Sequence, residues 1–230
     1  MAVVSRPLAD PPARGGPGVM RAAVLALLLL ASSAEALDVS VEPYRQARQT
    51  RALGVVTGRV YAEQRTLRVP ARPMTGTTVT LLPRSEALLA RLETLKAQSR
   101  ESSTAYTAAA PAMRKAKEVY ERELLHAGAP DLTPMVLVDR DGGFRIDDVP
   151  AGAWVLLAWY STPVDVSAPK AKPRDRDLYQ PQPRLHGFQS VTVWLREVSV
   201  TGGGTATVEL TDRNGWFRGV VEERMLDTGR

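Results

Sequence analysis

The chain has no cysteine among its 230 residues. Disulfides, cysteine-ligated zinc, iron–sulfur clusters, thiol catalysis and a lipidated N-terminal cysteine are therefore excluded. Histidine is nearly absent too, with only His126 and His186, which leaves little material for a histidine-built metal site. No Gly-x-Ser-x-Gly, no His-x-x-Glu and no phosphate-cradling glycine motif occurs. Aromatic residues are scarce at 6%, and Asn214 is the sole asparagine. The longest apolar run, residues 22–31, is too short to cross about 30 Å of hydrocarbon.

What remains is ordinary globular composition, 44% hydrophobic and 24% charged, which rules out wholesale disorder and a collagen-like repeat. The net charge of +5 is too diffuse to argue for a nucleic-acid partner. Arginine outnumbers lysine 25 to 5, a bias that fits a GC-rich genome better than a function.

Residues 20–36 (MRAAVLALLLLASSAEA) read as a secretory signal peptide. Arg21 supplies the positive start, the apolar run follows, and Ala34-Glu35-Ala36 satisfies the small-x-small rule for cleavage after Ala36. Residues 1–19, rich in Pro, Gly and Arg, read either as a disordered extension or as sequence upstream of a true start at Met20; the second is preferred. The address is periplasmic or secreted, with no stable membrane span after cleavage.

Residues 37–53 form a polar lead-in. From Gly54 the pattern turns to short period-two runs: 54–61, 77–83, 135–138, 143–147, 153–161, 188–200, 205–211 and 215–222. Gly, Pro and Asp/Asn punctuate them, which predicts a β-sandwich. One segment breaks the rule. Residues 84–130 carry helical periodicity, with Ser85 as cap, a stripe of Leu88, Leu92 and Leu95, a break over 102–111, and a second stripe of Met113, Ala116, Tyr120 and Leu124. Lys117–Glu121 and Glu118–Arg122 are i,i+4 pairs, and Gly128 and Pro130 end the segment. An αα-hairpin inserted between two strands is expected. A Pro-rich basic loop is expected over 163–187, and a tail over 223–230.

In VDRDGGFRIDDVPAGAW (138–154), Asp139 to Gly143 suits a tight hairpin, with Phe144 and Ile146 then pointing to the core. An EF-type calcium loop does not fit, because position 5 counted from Asp139 is Gly143 and position 6 is Phe144. The echo TDRNGWFRGVV (211–221) reads as a second hairpin that chose the same turn chemistry independently.

The Asp-x-Asp-Gly-x-Phe turn and the Val-Pro-x-Gly-x-aromatic corner, together with GVVTGRVY (54–61), TTVTLL (77–82) and the run 190–211, resemble the carboxypeptidase regulatory-like (transthyretin-like) domain. The resemblance covers about 54–83 and 135–211. It implies a mainly β, prealbumin-like (Ig-like) antiparallel β-sandwich over 54–222, without catalytic residues or a cofactor of its own. The helical insert departs from that family, as does a module standing nearly alone.

In residues 153–160 both faces are apolar: Trp154, Leu156 and Ala158 on one, Val155, Leu157 and Trp159 on the other. The outer face needs a cover, the apolar stripe of the inserted hairpin or, as the alternative, a homodimer or partner surface. Trp194 is expected to alternate outward from Val193 and Leu195 and join that patch. The candidate partner surface is therefore Trp159, Tyr160, Tyr179 and Trp194 with the basic residues Lys170, Lys172 and Arg174. The expected function is a non-enzymatic exported binding or scaffold module of the bacterial envelope. Its partner is an envelope protein or a polysaccharide, met through the hairpin and the basic loop. The alternatives are carbohydrate binding on the aromatic rings and service as an accessory subunit of a separately encoded enzyme.

Overall fold

A computed structural model describes residues 37–64, 66, 71–164 and 183–226, which fall within the compact unit Leu37–Arg230. The described part is mainly β, two sheets packed face to face with a helical hairpin on one outer face. In the first sheet, β1 (Leu53–Ala62) is central. β5 (Gly143–Pro150) pairs antiparallel with one of its edges, and the two-residue β2 (Arg72–Pro73) continues that edge opposite Tyr61 and Ala62. β8 (Thr205–Thr211) lies on the other edge and is parallel to β1, the one parallel pairing among the described strands. The second sheet runs β4-β3-β6-β7-β9 and is antiparallel throughout. It comprises β4 (Met135–Leu137), β3 (Thr78–Pro83), β6 (Gly152–Val164), β7 (Pro183–Val200) and β9 (Phe217–Leu226).

The predicted strands are all present with shifted ends: those expected at 77–83, 135–138 and 215–222 start or stop one or two residues inside their ranges, and others run longer. β6 reaches Val164 and β7 begins at Pro183, so both flanks of the expected loop are ladder. β9 extends to Leu226 into the expected tail. The doubly apolar segment of β6 behaves as its pattern demands. Trp154, Leu156 and Ala158 enter the core between the sheets, with Val56 and Val60 of β1 and Phe144 and Ile146 of β5. Leu157 enters a second core on the outer face, with Leu82, Val191, Val193 and Phe217.

The cover of that second core is the inserted hairpin, α2 (Glu86–Gln98) and α3 (Ser103–His126); α1 is the short helix Glu42–Gln49 upstream of β1. Leu88, Leu92 and Leu95 of α2 and Met113, Tyr120 and Leu124 of α3 are buried against the sheet. The Tyr120 hydroxyl donates to Pro83 O at 3.0 Å. Burial, with the Asp38 carboxylate adding to it, pushes its pKa up, so the phenol stays a donor.

Two elements differ from the sequence expectation. The second helix starts at Ser103, capped by Ser102 Oγ at 3.0 Å from Ala105 N, and runs straight through Pro111. A proline there removes one backbone bond. The alanines beside it offset this, because Ala109 and Ala110 are buried and strong helix formers, and Ala110 lies against the β9 backbone near Gly219. The lead-in is not featureless either. In α1, Tyr44 is buried with its ring edge-on to Trp154 at 5.0 Å and its hydroxyl donating to Ala153 O at 2.6 Å. Arg45 of the same helix donates to the carbonyls of Ala127 and Gly128 and so closes the C-terminus of α3.

Asp38 and Ser85 together start α2. Ser85 Oγ accepts from Leu88 N at 2.9 Å and donates to Asp38 Oδ1 at 2.7 Å, while Asp38 Oδ2 accepts from Ala87 N at 2.9 Å. Ser85→Ala is expected to cost about 1–2 kcal/mol, the usual value of a lost cap. In a chain of this size that lowers the thermal midpoint by about 2–8 °C, readable by calorimetry.

Candidate binding surface

The predicted surface residues separate in the structure. Trp194 is fully buried in the core between the sheets, and its Nε1 donates to Thr211 O at 2.8 Å. The outward assignment is thereby corrected. Trp194 stands opposite Ala158 in the β6–β7 ladder, so the two share a face, and that face is the inner one. Val193, opposite Trp159, is the residue that points to the hairpin. Trp159 is half-buried on the outer core, with the Arg114 guanidinium of α3 4.9 Å from its ring centre. Its Nε1 is buried and has no hydrogen-bond partner among the described residues. Tyr160 is half-buried against the inner core. Lys170, Lys172, Arg174 and Tyr179 lie outside the described residues.

One further tryptophan has a structural task. Trp216, before β9, donates from Nε1 to Glu93 Oε1 at 2.7 Å, and Lys96 Nζ sits 4.5 Å from its ring centre. Those contacts tie the β8–β9 turn to α2. The tryptophan rings are thus occupied by packing rather than presented as a platform.

An open concavity lies elsewhere among the described residues. A shallow groove of about 610 Å³ is lined by Thr57, Gly58 and Arg59 of β1 and by Val136 and Leu137 of β4. Asp139 and Asp141 of the turn, with Gly143, Phe144 and Arg145 of β5, complete it. The turn is held as its residues predicted. Asp139 Oδ1 accepts from Asp141 N at 2.9 Å and Gly143 N at 2.7 Å, and Gly142 takes a φ of 82° that suits glycine. Gly58 keeps β1 close to its neighbours, since a Cβ there would stand 2.1 Å from Val208 O and 2.6 Å from the Phe144 ring.

The groove's charges are unequal in freedom. Asp139 is spent on the turn, and Arg145 pairs with Asp147 at 2.8 Å. Arg59 is exposed, has no ion pair among the described residues, and lies 6.0 Å from the Tyr61 ring centre. The Tyr61 hydroxyl donates to Glu209 Oε1 at 2.7 Å, which raises its pKa and fixes it as a donor. Beside the groove, Met135 and Leu137 are 61% and 66% exposed. Sequence reasoning read 135–138 as a strand but missed this. With four apolar residues in a row, nothing in the alternation separates the inward Val136 and Val138 from the outward Met135 and Leu137.

Among the described residues no group of three or more His, Asp or Glu side chains could hold a metal ion, and no helix is long and apolar enough to cross a membrane. No family model and no curated protein matches the chain. Among solved structures it is similar to a candidate carbohydrate-binding protein from Pseudomonas aeruginosa, at 16% identity and a TM-score of 0.41, over 76% of this chain and 97% of that one. It is also similar to the pilus backbone protein of Streptococcus pneumoniae, at 13% identity and a TM-score of 0.20, over 44% of this chain and 29% of that one. Likenesses this distant name neither a family nor a ligand for the chain.

Proposed function

We propose that the protein is an exported, non-catalytic binding module of the carboxypeptidase regulatory-like type, and that it meets an envelope partner at the groove between β4 and the β1–β5 pair. The observation that carries this reading is the open edge of β4, where Met135 and Leu137 stand exposed beside a concavity lined by Arg59, which has no ion pair among the described residues. Export rests on the signal-peptide pattern of residues 20–36. The hairpin's apolar stripe is consumed by the sheet, so any contact the hairpin makes uses its outer face. The basic residues Lys170, Lys172 and Arg174 are kept as a second point of attachment. The glycan-platform version loses support, because Trp194 is inside and Trp159 lies beneath Arg114.

The test is binding of the purified protein to envelope proteins and to envelope polysaccharide in separate arms. Arg59→Glu is expected to weaken the productive arm by about tenfold or more, the effect of reversing a charge that contacts a partner. Arg114→Glu, on the hairpin, is expected to leave it within about twofold. Equal binding by wild type and Arg59→Glu refutes the groove as the contact.

A further inference from the structure

The backbone of β4 identifies the kind of occupant. Val138 N donates to Thr77 O, and Leu81 N donates to Pro134 O. In an antiparallel ladder hydrogen-bonded pairs alternate with non-hydrogen-bonded ones. The bonded pairs are therefore Thr77–Val138, Val79–Val136 and Leu81–Pro134. The intervening residues, Leu137 opposite Thr78 and Met135 opposite Thr80, turn their N–H and C=O groups away from β3. β4 is the last strand of its sheet, so among the described residues no strand takes up those groups. The same two residues expose their side chains. None of the three residues of β4 is a charge or a proline of the kind that blunts sheet edges.

We propose that this edge takes an extended polypeptide strand, added antiparallel or parallel to β4, with apolar side chains at alternate positions and an acidic residue for Arg59. The inference rests on the groove reading above and names its occupant. Size argues against a second copy of the chain. A three-residue edge offers two N–H and two C=O groups, far short of the roughly 800 Å² per partner that a stable dimer interface needs. A strand lying along the edge and into the groove needs much less, because main-chain bonds supply its affinity and alternate side chains its specificity. Charge sets where the acidic residue of that strand lies. Arg145 pairs with Asp147, and Arg59 has no ion pair among the described residues, so the acidic residue falls at Arg59 and away from the Asp139 and Asp141 carboxylates of the turn.

The experiment is amide hydrogen exchange on the purified protein, read residue by residue by NMR. The probe is a short synthetic peptide of alternating Val and Thr with one Glu. The expected result is slowing by about tenfold or more at the amides of Met135 and Leu137. The amides of Val136 and Val138, already bonded to β3, should stay as they were. Leu137→Pro is the decisive variant. It deletes an N–H that β3 does not use, so the fold tolerates it at a sheet edge while the added strand loses a bond. An unchanged exchange pattern across the rest of the sheet verifies that tolerance, and peptide protection should vanish. No protection in the wild-type chain at about millimolar peptide overturns the proposal. So does protection that survives Leu137→Pro, or self-association that rises with concentration and disappears in that variant. If Arg59→Glu abolishes capture of an envelope component while Leu137→Pro does not, the groove reading stands and the strand-addition inference alone fails.

Discussion

Replacing residues 84–130 by a short Gly/Ser linker is expected to destroy the fold, leaving no bare sandwich behind. The hairpin is not an appendage. It covers Leu82, Leu157, Val191, Val193 and Phe217 on the outer face of the five-stranded sheet. Uncovering five large apolar side chains at about 1.5–3 kcal/mol each forfeits roughly 10 kcal/mol. A whole domain has only about 5–15 kcal/mol of stability. The loss is compounded where Tyr120 no longer satisfies Pro83 O and Glu93 no longer anchors Trp216. The expected product is soluble aggregate or a loosely packed state that binds a hydrophobic dye and lacks near-ultraviolet dichroism. A monomeric, dye-silent deletion variant with a sharp thermal transition would show that the outer core contributes little. Loss of partner binding in such a deletion would therefore say nothing about where the partner docks, which is why point changes at Arg59 and Leu137 carry that question.

The need for this cover was readable before any coordinates. Residues 153–160 are apolar on both faces, and a strand of that kind sits between two layers. The leucine stripe at 88, 92 and 95 supplied the layer, and Ser85 marked its start. Three features were not readable, each for a physical reason. α1 is one short helix whose buried residues are Tyr44 and Ala47, too few to register as a period. The passage of α3 through Pro111 depends on alanines packing against β9, a tertiary gain that local rules do not contain. The phase of β7 is ambiguous because Val191, Val193, Trp194 and Leu195 are all apolar. Only the pairing of Trp194 with Ala158 decides which face each takes. The candidate site fared likewise. Its turn was legible in Asp139 to Gly143, whereas the open edge depends on which carbonyls β3 leaves unused.

That phase gives the second large effect. Trp194→Ala is expected to be the more damaging of two tryptophan truncations, at about 3–5 kcal/mol for the vacated volume. A further cost of about 1–3 kcal/mol comes from leaving the Thr211 carbonyl without its donor in a buried site. At about 2–4 °C per kcal/mol for a chain this long, the midpoint falls by at least about 8 °C. Trp194→Phe retains much of the ring and loses the bond, so it should fall between wild type and alanine. Trp159→Ala should cost much less. That ring is half-buried, its Nε1 makes no hydrogen bond among the described residues, and the Arg114 contact contributes about 0.5–1 kcal/mol at a partly wet site. Paired calorimetric scans of the two alanine variants therefore test the orientation of β7 directly. Were Trp194 on the outer face and Trp159 the buried partner, the order of the two losses would reverse. The aromatic surface would then regain the ring that a stacking ligand requires.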